Sequence, residues 1–116
     1  MEDSILNTIK SMLGIDDGYT AFDAELVGHI NAAISELNHI KVGVEDFFIE
    51  DKSFTWNEFI PDNKKLQNMA KQFIHNSVRL IFDPPANSFV VDAITKNKDE
   101  LYWRMYEIAE REGESE

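Results

Sequence analysis

The sequence predicts an all-α domain, a small bundle of four main helices with a loop-rich insertion between helices two and three. Three observations carry that prediction. Apolar residues recur at three- and four-residue spacing along four stretches, as amphipathic helices require. Capping residues open those stretches, and Gly or Pro closes them. The chain of 116 residues, 43% hydrophobic, can build one modest core and not two. Residues 1–109 therefore read as a single helical domain, and residues 110–116 as an acidic, flexible tail. No internal repeat or low-complexity block interrupts the pattern.

Segment one, about Ser4 to Leu13, places Ile5, Ile9, Met12 and Leu13 at helical spacing. Asp3 or Ser4 can cap its start by accepting free backbone N–H groups. Gly14 suits the left-handed stop position, and Asp16-Asp17-Gly18 reads as a turn. The segment is short, so its stability must come from docking.

Segment two, about Asp23 to Ile40, carries the clearest stripe: Leu26, Ile30, Ala33, Ile34, Leu37 and Ile40. His29, Asn31, Ser35, Glu36, Asn38 and His39 fall mostly away from it. Asp23 is the expected N-cap, with Glu25 favourable near the positive helix start. Gly43 can end the helix or the turn that follows.

Segment three, Val44 to Pro61, is irregular. Phe47, Phe48 and Ile49 lie between acids and fit a short strand or a packed loop. Thr55-Trp56-Asn57-Glu58 has capping-box spacing, which predicts a helical turn from Trp56 to Phe59. Trp56 would pin the loop onto the core.

Segment four, about Asn63 to Phe82, repeats the stripe with Leu66, Met69, Ala70, Phe73, Ser77, Leu80 and Ile81. Asn68, Gln72, His75 and Arg79 make the opposite, polar face. Asp83 precedes a proline, which disfavours helical geometry, and Pro84 and Pro85 cannot continue a helix. These three residues form a structural turn that sets the angle between the last two helices. Segment five starts at Asn87 or Ser88, either of which can cap, and runs to about Ala109. Its stripe of Val90, Ile94, Leu101, Met105 and Ile108 is interrupted by Asn97. Tyr102, Trp103 and Tyr106 lie off that stripe, so the helix is either sandwiched or presents aromatics to a partner. Packing of Trp103 on Phe47 or Phe48 is the structural alternative.

The chain has no cysteine, which excludes disulfides and thiolate metal sites. No apolar run approaches the roughly 20 residues of a membrane span. The acidic start Met1-Glu2-Asp3-Ser4 is a poor secretory signal, and a soluble intracellular origin is the expectation. A net charge of −11 argues against sequence-specific nucleic-acid binding, because duplex DNA is held by cations that displace its counterions. The acidity suits solubility, repulsion of passing nucleic acid, or a basic partner. It is uneven. Lys64, Lys65, Lys71 and Arg79 stand against Asp62 alone, whereas Glu107 and the later glutamates stand against Arg111.

No active-site constellation is present, so the chain is not expected to be an enzyme. His29 and His39 are ten residues apart, on different faces of one helix, and no His-Glu-x-x-His pattern exists. There is no phosphate-cradling glycine loop and no nucleophile elbow. Neighbouring acids such as Asp16-Asp17 and Glu50-Asp51 sit in polar stretches and lack the contrasting environments of an acid/base pair. No metal and no cofactor is expected.

The run Val78-Arg79-Leu80-Ile81-Phe82-Asp83-Pro84-Pro85-Ala86-Asn87-Ser88-Phe89, with Ala93-Ile94 and Glu100-Leu101-Tyr102-Trp103-Arg104, resembles the head–tail connector (adaptor) proteins of long-tailed bacteriophages. Phe22-Asp23-Ala24-Glu25-Leu26, His29-Ile30-Asn31, Leu37 and Trp56 also look like that family, so the likeness spans about Phe22 to Arg104. The Phe-Asp-Pro-Pro-x-Asn-Ser-Phe block is its most specific part. One departure is visible: the family's Leu-Gly-Val-Gly-like end of the second helix reads Ile40-Lys41-Val42-Gly43 here.

The resemblance implies a virion structural protein at the head–tail interface, present in the host cytoplasm during assembly. Such connectors dock as a ring, commonly twelvefold, on the portal protein after DNA packaging. They extend the DNA channel and give a stopper or tail-completion protein its platform. Ring contacts are heterologous, one face meeting a different face of the next copy. The candidate interface is Lys64, Lys65, Lys71 and Arg79 before the turn, and Tyr102, Trp103 and Tyr106 after it. The competing reading is a small acidic helical interaction module, a regulator or DNA-mimicking inhibitor, without a ring.

Overall fold

Five helices form in the order α1 (Ile5–Met12), α2 (Asp23–His39), α3 (Trp56–Phe59), α4 (Lys64–Phe82) and α5 (Ser88–Glu114). This all-α arrangement comes from a computed structural model that describes residues 4–114. Four of the helices are substantial, and the short α3 closes the insertion. Among the described residues there is no β-strand, only a bridge between Ser4 and Thr55.

Ser4 caps α1, its hydroxyl accepting from the Asn7 N–H at 3.2 Å. The alternative cap, Asp3, lies outside the described residues. Gly14 adopts φ +80° just past the helix, and Asp16 accepts from the Gly18 N–H to close the turn. α1 is stabilised by docking, as its length requires. Ile5, Leu6 and Ile9 are buried. Lys10, also buried, places its Nζ 2.9 Å from Asp23 Oδ1 and donates to the Asp17 carbonyl at 3.0 Å. Asp23 therefore does not cap α2. Phe22 holds the cap position without a side-chain bond, and Asp23 is the first helical residue, its carboxylate turned to Lys10. A buried lysine needs its charge matched more than a helix start needs a cap.

The α2 stripe is buried as expected, and two residues of its polar face, Asn31 and Asn38, are partly covered too, while Ser35, Glu36 and His39 stay exposed. The Asn31 side chain accepts from the Ile49 N–H at 2.8 Å and donates to the Ile49 carbonyl at 2.9 Å, as a neighbouring strand would. Asn38, seven residues on, donates to the Val42 and Val44 carbonyls. Two asparagines thus staple the insertion along α2. Helix α2 ends at His39, with Val42 N–H bonded to the Leu37 carbonyl and Lys41 N–H to that of Asn38. This is a Schellman stop, and its left-handed residue is Lys41 at φ +69°. Gly43 is not the stop. At φ +84° it lets the chain pass Phe59, where a Cβ would meet Cε1 at 2.2 Å.

The insertion is a packed loop, not a strand. Phe47 stacks on Phe59 at 5.1 Å, and Ile49 is buried. The capping box of α3 forms in full, with Thr55 accepting from the Glu58 N–H and Glu58 from the Thr55 N–H. Trp56 is fully buried and donates its indole N–H to Thr8 at 3.0 Å, tying the loop to α1.

Helix α4 packs against α1, α2 and α5. Its buried set is correspondingly wider than the single stripe read from the sequence. It includes Ile74 and Val78, along with polar Gln67, Asn76 and Ser77. Gln67 donates to the Ile60 carbonyl at 2.7 Å, and Ser77 to that of Phe73. The structural turn follows: Asp83 N–H bonds the Arg79 carbonyl, then Pro84 and Pro85 stop the helix. Asn87 caps α5, its side chain accepting from the Phe89 N–H at 2.7 Å.

Helix α5 contains 27 residues, about 40 Å at 1.5 Å per residue, and matches the longest dimension of the molecule, 44 Å. It extends to Glu114, beyond the expected end at Ala109. Of the acidic segment 110–116, residues 110–114 are helical, and 115–116 lie outside the described residues. Asn97, which broke the stripe, accepts from the Asn76 amide at 2.9 Å and locks α5 to α4. Tyr102 packs on Phe73, with ring centroids 5.7 Å apart.

Candidate functional site

The Asn76–Asn97 and Phe73–Tyr102 pairs fix the register of the two antiparallel helices. They put the end of α4 alongside about Asp92 and its start alongside about Glu110. Helix α5 therefore overhangs its main partner by roughly a turn at each end. At the turn end, Phe89 is 83% exposed, with Ile81 and Val90 exposed beside the prolines. On the far side of that corner, Phe22 meets Phe82 edge-on at 5.1 Å and Tyr19 at 5.6 Å. Most of the exposed large apolar side chains among the described residues, Tyr19, Phe22, Ile81, Phe89 and Val90, thus gather at the corner of Pro84 and Pro85.

The basic candidates divide. At 100° per residue, Lys64, Lys65, Lys71 and Arg79 span an arc of about 120° on α4. Lys64 and Lys65 are exposed. Lys71 is half-buried with its Nζ 5.6 Å over the Trp56 ring, so its charge is engaged within the chain. Arg79 lies beside His75. Burial pushes the His75 pKa below its ordinary value, the Arg79 charge adds to that, and a hydrogen bond with the Met12 backbone opposes it. His75 thus belongs to the packed α1–α4 contact and not to a solvated polar face.

The aromatic candidates divide too. Tyr102 is half-buried against the core. Tyr106 is partly buried, and its hydroxyl donates to Glu110 at 2.9 Å; that bond raises its pKa, helped by the Glu110 charge. Trp103 is 62% exposed and touches Tyr106 edge-on at 5.6 Å. It does not pack on Phe47, which stacks on Phe59, nor on Phe48, which is itself exposed. Phe89 and Trp103 are fourteen residues apart and share the outward face of α5.

Between α4 and α5 lies a groove of about 280 Å³ that includes Lys65, Met69, Leu101, Arg104, Ile108 and Arg111. Among the described residues no group of three His, Cys, Asp or Glu could hold a metal ion. The groove offers apolar contact area and a charged rim.

A family model described as phage connector protein matches residues 5–112. The chain belongs to this phage connector family. No curated protein and no solved structure matches it. The connector match takes in the proline turn, the whole of α4 and all seven candidate interface residues. Connectors are structural proteins of bacteriophages. No helix among the described residues of this connector is long and apolar enough to cross a membrane.

The sequence reading passed over Ile81, Phe89 and Val90 as interface residues. Ile81 and Val90 fell on apolar stripes, and Phe89 belonged to the turn motif. The missing signal was helix register. Only the pairing of α4 with α5 shows that the first turn of α5 has no helix opposite it.

Proposed function

We propose that this connector docks as a ring on the portal protein at the head–tail interface of the virion, extends the DNA channel, and gives the stopper or tail-completion protein its platform. Twelve copies, matching the usual symmetry of such rings, is the expected number. The carrying observation is α5: a 27-residue helix that overhangs its main partner at both ends and exposes Phe89 and Trp103 on its outward face. Large aromatics on a rigid helix are favourable interface anchors, because little conformational entropy is lost on contact. The net charge of −11 supports a wall past which DNA slides, since an acidic surface offers no counterion release. Catalysis has no part in this role.

Electron microscopy and native mass spectrometry of the protein mixed with the portal of the same phage test the proposal. A ring of defined copy number on the portal is the expected result. Absence of any complex across concentration and salt would overturn it.

A further inference from the structure

Phe48 is the one residue of the 47–49 run that faces solvent, 55% exposed, and both its neighbours are anchored. Phe47 stacks on Phe59 at 5.1 Å, and Ile49 is buried with its N–H and carbonyl both held by Asn31. The ring is therefore presented on a backbone already fixed, which lowers the entropy cost of inserting it into a partner. Exposed acids surround it in the chain: Glu45, Asp46, Glu50 and Asp51, against Lys52 alone. It forms an apolar knob with an acidic rim.

The α4–α5 groove has the opposite design. Its floor is Met69, Leu101 and Ile108, and among the described residues its rim carries Lys65, Arg104 and Arg111 against Glu107. The Arg104 pair with Glu100 is 3.6 Å long and exposed on both sides, so it holds Arg104 only weakly. In a chain of net charge −11, this is a local cationic lip around an apolar slot of about 280 Å³.

Knob and groove lie on different flanks of the α4–α5 seam. Val44, Ile60 and Pro61 of the insertion meet the seam at Leu66 and Ala109. The groove opens at Lys65, Met69 and Ile108, turned about 60–100° around their helices from those residues. Phe48 does not line the groove of its own chain, so its entry into the groove of another copy would join two different surfaces, a heterologous contact as a closed ring requires.

We infer that the contact between neighbouring copies is made by Phe48 of one chain entering the α4–α5 groove of the next, with Glu45, Asp46, Glu50 and Asp51 facing Lys65, Arg104 and Arg111. This rests on the ring reading of the proposed function and names the surfaces that build the ring. Charge complementarity sets the register and orientation, and the aromatic anchor supplies the desolvated centre.

The chain lacks cysteine, so single-cysteine variants report cleanly. Phe48→Cys and Met69→Cys chains are mixed in equal amounts with the portal of the same phage and oxidised. Phe48→Cys with Glu36→Cys serves as the control pair, since Glu36 is exposed on α2. The expected result is at least tenfold more covalent dimer from the first pair. Lys65→Glu with Arg104→Glu should weaken ring formation at least tenfold, and a copy carrying Glu50→Lys and Asp51→Lys should restore it. Rings that form normally while the first pair crosslinks no better than the control, or while the charge reversals change nothing, would overturn this contact and leave the ring standing. No multimer from the unmodified protein would remove both.

Discussion

Trp56 lies where α1, α4 and the insertion converge, fully buried, its indole N–H bonded to Thr8 and its ring under Lys71. Trp103 sits on the outward face of α5, 62% exposed, with Tyr106 as its aromatic neighbour. The same contrast extends to their elements. On the α2 side, the apolar stripe is buried and Asn31 and Asn38 of the polar face bind the insertion. On the α5 side, one face packs and the other is bare. Large aromatics left exposed on a packed helix support the proposal that α5 contacts another molecule. Around Trp56 the insertion makes the fold, whereas the outward face of α5 packs on no other described element of its own chain.

Substitutions that act differently on the two sides can break this contrast. The largest effect is expected at Trp56→Ala, a loss of about 3–5 kcal/mol from the cavity left in the core. Denaturant unfolding measures it, and a loss below 1 kcal/mol would mean that the insertion is not part of the core. Gly43→Ala comes next. A Cβ there meets Phe59 at 2.2 Å on a backbone at φ +84°, so a loss of about 2–4 kcal/mol is expected in the same assay. Lys41→Gly has the opposite sign. It relieves the left-handed φ of +69° at the end of α2 and should stabilise by about 1 kcal/mol, read as a higher melting temperature. Smallest of all is Trp103→Ala, which should leave stability within about 0.5 kcal/mol while weakening assembly with the portal. If it destabilised the free chain as Trp56→Ala does, the two sides would not differ in kind.

What the sequence disclosed follows the same division. Helix positions, the capping box at Thr55 and the proline turn were legible, because each rests on contacts a few residues apart. The family likeness carried by the Phe82–Phe89 block was legible for the same reason. The Lys10–Asp23 pair, the Asn31 clamp on Ile49 and the Asn76–Asn97 lock were not, since each joins residues 13 or more apart in sequence. Asn97 looked like a flaw in a stripe until Asn76 stood opposite it. Among the candidate interface residues, side-chain type singled out Tyr102 and Trp103 equally, yet α4 covers one and not the other. Lys71 likewise looked free beside Lys64 and Lys65 until Trp56 folded under it. The exposed Phe89 was hidden by the opposite error, inclusion in a turn taken to be scaffold.

Hydroxyl-radical footprinting of the free protein and of its complex with the portal tests most directly whether α5 is the assembly surface. Phe89 and Trp103 should become protected in the complex while Trp56 stays equally unreactive in both. A complex in which Phe89 and Trp103 remain as reactive as in the free chain would contradict the account.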